Sequence, residues 1–145
     1  RRKAMLAAGL FPEIFYMHYE EVQLAYRILD AGGSIMYCPD LPVLHHAHPV
    51  AARGKIQMFY KPRNQILVAL ACYPWFRAIA YLVPRLGYNF ATAVVHWHPG
   101  EFGRALASAW TLAPRILAAR VPLRSETWRR IGAMRHDTDV SSLQS

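Results

Sequence analysis

Apolar positions along the chain recur with changing period, and the changes divide it into three zones. In the first, Arg1 to about His48, helix and strand signals alternate. Arg1–Ala8 reads as a short helix closed by Gly9, a residue suited to the left-handed conformation at helix ends. Phe11–His18 is an aromatic-rich loop around Pro12. Over Tyr19–Ala31, Val22, Ala25 and Leu29 form one helical stripe that Leu24 and Ile28 widen, and Gly32-Gly33 ends it. Ser34–Cys38 and Val43–His46 read as short strands flanking a turn at Pro39–Asp40.

The second zone, about Ala51 to His98, is predicted helical, with Pro62, Pro74 and Pro84 as breaks or kinks. The third opens near Pro99-Gly100 with a helix over about Glu101–Arg120, carrying a possible kink point at Pro114 and stopped by Pro122. Ser125 is a fair N-cap for a last helix to about Arg135, and a polar, frayed tail follows from His136. The stretch Ile66–Val95 is very apolar, yet Pro74, Arg77, Pro84 and Arg85 interrupt it. A spanning helix needs about 20 mostly apolar residues in a row. Helices packed together, or lying on a membrane surface, fit this stretch better.

Composition sharpens this picture. The 145 residues suffice for one domain with a core, and 54% hydrophobic against 18% charged residues exclude a disordered tail. A net charge of +8 suits a phosphate-bearing partner: a nucleotide, a nucleic acid or an anionic membrane. The arginines are scattered among apolar helices and no nucleic-acid motif appears, so no nucleic-acid partner is expected. Cys38 and Cys72 make no disulfide framework, and a reducing cytosol is the simpler expectation. The chain opens at Arg1 with no initiator Met and no signal peptide, the pattern expected of a piece of a longer polypeptide.

Three polar clusters stand out. Tyr19-Glu20-Glu21 opens the first long helix, where the helix dipole alone favours acids. His45, His46 and His48 end a predicted strand, in which neighbours point to opposite faces, so His45 and His46 do not easily share one metal. Tyr60, Lys61, Arg63 and Asn64 precede the apolar run Ile66–Ala71, and read either as a solvated turn after Pro62 or as a phosphate grip.

Their order and spacing resemble the family-2 glycosyltransferases, particularly the rhamnosyltransferase-like branch. The resemblance is carried by Gly9-Leu10-Phe11-Pro12-Glu13, Phe15-Tyr16-Met17, and Glu20-Glu21-Val22-Gln23-Leu24-Ala25-Tyr26-Arg27. Ala31-Gly32, Ile35–Pro39, Val43-Leu44-His45, Tyr60…Arg63-Asn64 and Arg120-Val121-Pro122-Leu123 with Arg129-Arg130 extend it, tight over Gly9–His48 and loose after Asn64. It implies an α/β fold: the C-terminal portion of a Rossmann-like GT-A domain over 1–50, then a mostly helical C-terminal extension over 51–145 that suits a membrane surface. It implies a nucleotide-diphosphate sugar as donor, a glycan or lipid-linked acceptor, and a divalent metal, Mg or Mn. By the same resemblance Glu21, beside Glu20, matches the catalytic base, His45 a metal ligand, and Arg63 and Asn64 a donor-phosphate or acceptor contact. A place in the cytoplasm, at the inner face of the membrane, follows.

Inverting transfer requires one carboxylate within reach of the attacking hydroxyl, because a metal-neutralised diphosphate leaves without a general acid. A Glu of ordinary pKa, about 4.3, is ionised at neutral pH and suits that role. Phe15, Tyr16 and Tyr19 can wall an acceptor cleft or belong to the core. The family pattern departs at Glu21 and Gln23, where Asp is usual, and at Pro62 inside the Tyr-x-x-Arg-Asn segment. Asp137-Thr138-Asp139 matches the family's Asp-x-Asp metal motif in letters alone; that motif is expected in a preceding half, so the isolated chain is expected to be inactive. The competing expectation is a basic, aromatic helical module without catalysis, holding Trp75, Phe76, Trp97 and Trp110 at a membrane surface.

Overall fold

A computed structural model describes residues 2–36, 38–44 and 50–141, the side chains of 50–53 and 135–141 excepted. Its helices are α1 (Arg2–Ala7), α2 (Glu20–Asp30), α3 (Val50–Cys72), α4 (Trp75–Val95), α5 (Pro99–Ala118) and α6 (Ser125–Ser141), with a 3-10 turn at Glu13–Phe15. Three helix ends use one device. Gly9 and Gly32 take φ of 88° and 84° after α1 and α2, and Trp97 takes 59° after α4. In each case the next amide reaches back to a carbonyl inside the helix: Leu10 to Met5, Gly33 to Ile28, His98 to Ala93. This is the Schellman closure, which satisfies carbonyls the helix end leaves free.

Helix α3 is central. It packs most extensively on α5, then on α4, then on α2. Gly54 at its start lies against the His98 ring, while Arg120 beyond α5 donates to the carbonyls of Leu70 and Tyr73 at its end, at 2.9 and 2.7 Å. Thus α3 and α5 run parallel and α4 returns between their ends. The core gathers Phe15, Leu67, Val68, Ala71, Cys72 and Tyr73 with Ala78 of α4 and Ala109 of α5. Burial pushes the Cys72 thiol up to about 11, so it packs as a small apolar group. At the far edge, Asp30 ends α2 and accepts from the Arg124 N–H at 2.9 Å and the Thr127 hydroxyl at 2.6 Å, which ties α2 to the start of α6.

The α/β expectation is corrected: among the described residues there is no strand, and the fold is all-helical. Ser34–Cys38 and Val43–His46 were the expected strands; of these, Ser34–Met36, Cys38, Val43 and Leu44 are irregular, and Tyr37, His45 and His46 lie outside the described residues. The physical reason is the lack of a pairing partner, since a strand's backbone groups are satisfied by a neighbour and every other described element is a helix. Ile35, Met36, Val43 and Leu44 stay exposed. Pro62, Pro84 and Pro114 lie inside continuous helices, whereas Pro74 lies between α3 and α4 and Pro122 between α5 and α6. Among the described residues no helix is long and apolar enough to cross a membrane.

Candidate functional site

Among the described residues, the segment entering α2 is the most strained. Leu10, Tyr16, His18 and Tyr19 all have φ between 58° and 71°, and Tyr16 with ψ of −58° lies outside even the left-handed helical basin. Each such residue costs about 1–3 kcal/mol and persists only where its surroundings hold it.

The hold comes from α3. Asn64, fully buried, directs its amide nitrogen at the carbonyls of Phe15, Met17 and His18, at 2.9, 2.6 and 2.8 Å. Two amide hydrogens are therefore shared among three acceptors. Arg63 donates to the Ile14 carbonyl at 2.5 Å, and its cation lies over the rings of Phe59 and Tyr60. Burial pulls its pKa below the ordinary value, against an opposing pull from Tyr60. Gln65 continues the network, donating to Tyr19 Oη at 2.6 Å and accepting from Asn89 of α4 at 2.6 Å. Phe15 is 1% exposed and anchors the loop in the core.

The strained loop delivers Glu20 to the first turn of α2. Glu20 lines a cleft of about 300 Å³ with Phe11, Pro12, Glu13 and Tyr16. One carboxylate oxygen, Oε2, is buried without a hydrogen-bond partner. Burial raises the Glu20 pKa above its ordinary value of 4.5; its own backbone N–H opposes this, and the neighbouring Glu21 charge adds to it. Glu21 is exposed and is not part of the cleft lining. Tyr16 stacks on Tyr60 with ring centroids 5.3 Å apart, so the cleft wall is braced by α3.

The structure thus brings Glu20, Arg63 and Asn64 to one loop. Asn64 and Arg63 grip its backbone from inside the protein, and Glu20 faces its outer side. His45 lies outside the described residues. Among the described residues no three His, Cys, Asp or Glu side chains form a group able to hold a metal. These residues do not fit a metal site by themselves, and no chemical step is assigned to one. Sequence reasoning missed Phe11 and Glu13 as cleft walls and Gln65–Asn89 as the brace beneath. Two amides standing in otherwise apolar helical runs were the available signal for that brace. No family model, curated protein or solved structure matches the chain.

Proposed function

We propose that the chain is the C-terminal part of a nucleotide-sugar-dependent glycosyltransferase, in which the Glu20–Glu21 pair supplies the base that activates an acceptor hydroxyl. The observation that carries the reading is the half-buried, incompletely bonded Glu20 carboxylate in an aromatic-walled cleft, at the end of a strained, clamped loop. Between the two acids we assign the proton transfer to Glu20. A carboxylate whose pKa is raised accepts a proton more readily. Phe11 and Tyr16 offer faces on which a sugar ring stacks. Arg63 and Asn64 act as positioning residues that fix the loop. The donor's nucleotide, and a metal to neutralise its diphosphate, belong on this reading to residues beyond those described.

The test uses the full-length polypeptide that carries this chain. Glu20→Gln is expected to lower turnover about 10²–10⁴-fold with donor affinity unchanged, and Glu21→Gln to lower it far less. In the wild type, the acid limb of the turnover profile should lie above pH 4.5. Collapse in Glu21→Gln alone would move the base out of the cleft. Full turnover in both variants would remove the base from this acid pair, and absence of sugar transfer by the wild type would sink the glycosyl-transfer reading.

A further inference from the structure

Helix α4 buries Ala78, Asn89 and Ala93 against the bundle and turns another face outward. Along that outer face Phe76, Ala80, Val83, Gly87, Phe90 and Val94 follow at alternating steps of four and three, the spacing of a helix that pairs with another helix. All six are exposed, Phe76 and Val83 at 68%, Phe90 at 52% and Val94 at 49%. At about 100° per residue, Arg77 lies about 100° and Arg85 about 180° round the helix from Phe76, so no charge stands in the stripe. Arg77 reaches α6, with its guanidinium over the Trp128 ring at 5.1 Å as well as over Phe76.

Side-chain size varies along the stripe in a way that solvent or a fluid surface does not call for. The rings of Phe76 and Phe90 share it with Ala80 and Gly87, and a Cβ added at Gly87 would meet nothing within 4 Å. Among the described residues nothing requires a glycine there, while glycine inside a helix costs about 1 kcal/mol relative to alanine. A small residue on a helix face lets a second helix approach closely.

The stripe complements itself. When a two-fold axis crosses it between Val83 and Gly87, two copies of α4 lie antiparallel. Phe76 then meets the partner's Val94, Ala80 the partner's Phe90, and Val83 the partner's Gly87. Each layer sets a larger residue against a smaller one, and the symmetry repeats all three. A parallel pair would instead set phenylalanine on phenylalanine and leave Gly87 facing its own copy across a gap. The antiparallel relation also carries Trp97 past the partner's Phe76. Trp97 holds φ of 59° at 90% exposure, in a helix closure where glycine is the usual residue. With Ile79 on its flank, the stripe exposes roughly 700 Å² per copy, and Trp97 brings this to the ~800 Å² that a standard interface buries on each side.

We propose that α4 pairs antiparallel with α4 of a second copy through this stripe, so that the chain forms a two-fold dimer. No α4 residue lines the Glu20 cleft, so dimer formation and sugar transfer can fail independently. Sedimentation equilibrium in lipid-free buffer, from about 1 to about 200 µM chain, should show monomer and dimer with a Kd of about 1–100 µM. Gly87→Val should weaken the dimer at least about tenfold, because the added side chain takes the space of the partner's Val83. The same variant, at high dilution, should unfold at an equal or higher midpoint, a pairing of signs that misfolding cannot produce. Adding Val83→Ala to Gly87→Val should recover at least about threefold of the loss, because the layer again joins a larger residue to a smaller one. On a lipid surface that further truncation could only weaken binding. A chain that stays monomeric up to about 200 µM overturns the proposal, and if it floats with lipid vesicles instead, the face belongs to a bilayer. A dimer that Gly87→Val leaves intact, or a loss that Val83→Ala does not reverse, overturns it as well.

Discussion

The interior of α3 and the outer face of α4 invert the usual rule in opposite directions. At the middle of α3, Arg63, Asn64 and Gln65 are buried side by side. On α4, Phe76, Val83 and Trp97 face outward. Much of the polar set's bonding is met within the chain, by loop carbonyls for Arg63 Nη2 and the Asn64 amide nitrogen and by Tyr19 and Asn89 for Gln65, while Arg63 Nε and Nη1 and Asn64 Oδ1 are buried without a hydrogen-bond partner. The apolar set stays exposed, although the Arg77 guanidinium lies over the Phe76 ring. A buried polar group that is satisfied is a positioning device, whereas an apolar stripe left bare points to a partner outside the fold.

The sharpest break of this comparison is Asn64→Asp. The substitution keeps the shape but replaces the shared donor with a carboxylate facing the carbonyls of Phe15, Met17 and His18. We expect a loss of about 3–5 kcal/mol, read from the urea unfolding midpoint. A loss below about 1 kcal/mol would mean that the loop is not held from α3.

A smaller effect is expected at Asp30. Burial raises its pKa, but hydrogen bonds from Thr127 and the Arg124 amide, together with the Arg124 and Arg27 charges, outweigh this and leave it below the ordinary 3.8. A carboxyl lowered on folding contributes stability that is present above pH 3.8 and is lost as pH falls through the folded value. Asp30→Asn should therefore cost about 1 kcal/mol at neutral pH, with the gap to wild type narrowing in acid. A constant gap from neutral pH down through the acid transition would assign the effect to packing.

The smallest effect belongs to the bare stripe. Phe76→Ser, Val83→Ser and Val94→Ser should each shift stability by no more than about 0.5 kcal/mol in thermal unfolding of the monomer at high dilution. Losses of several kcal/mol would show that this face is packed within the chain, and the contrast with α3 would vanish.

Much of the helical frame was legible in the chain. The stripe through Val22, Ala25 and Leu29, the glycines at 9 and 32, and Pro99 at the first turn of α5 are local signals that the structure obeys. The two expected strands failed because strand formation depends on a distant partner, which no local alternation guarantees. Pro62 and Pro84 were weighed as breaks or kinks and Pro114 as a kink within one helix; packing along α3, α4 and α5 keeps all three helices continuous.

The candidate site divides in the same way. An acid pair at a helix start, and an Arg-Asn pair before an apolar run, are visible as residue types at positions. Which acid faces the cleft depends on the left-handed turn through Tyr16, His18 and Tyr19, and that turn is held by a residue 49 positions from Phe15. By itself the sequence determined the helix periods, most helix ends, the near absence of acid between Asp40 and Glu126, and the residue types available for chemistry. Only the tertiary structure decided that Asn64 and Arg63 turn inward, that Glu20 rather than Glu21 lines the cleft, and that one apolar face of α4 stays bare. The reason is physical: periodicity and capping act within a few residues, whereas burial and hydrogen-bond satisfaction are settled between segments that meet only after the chain has folded.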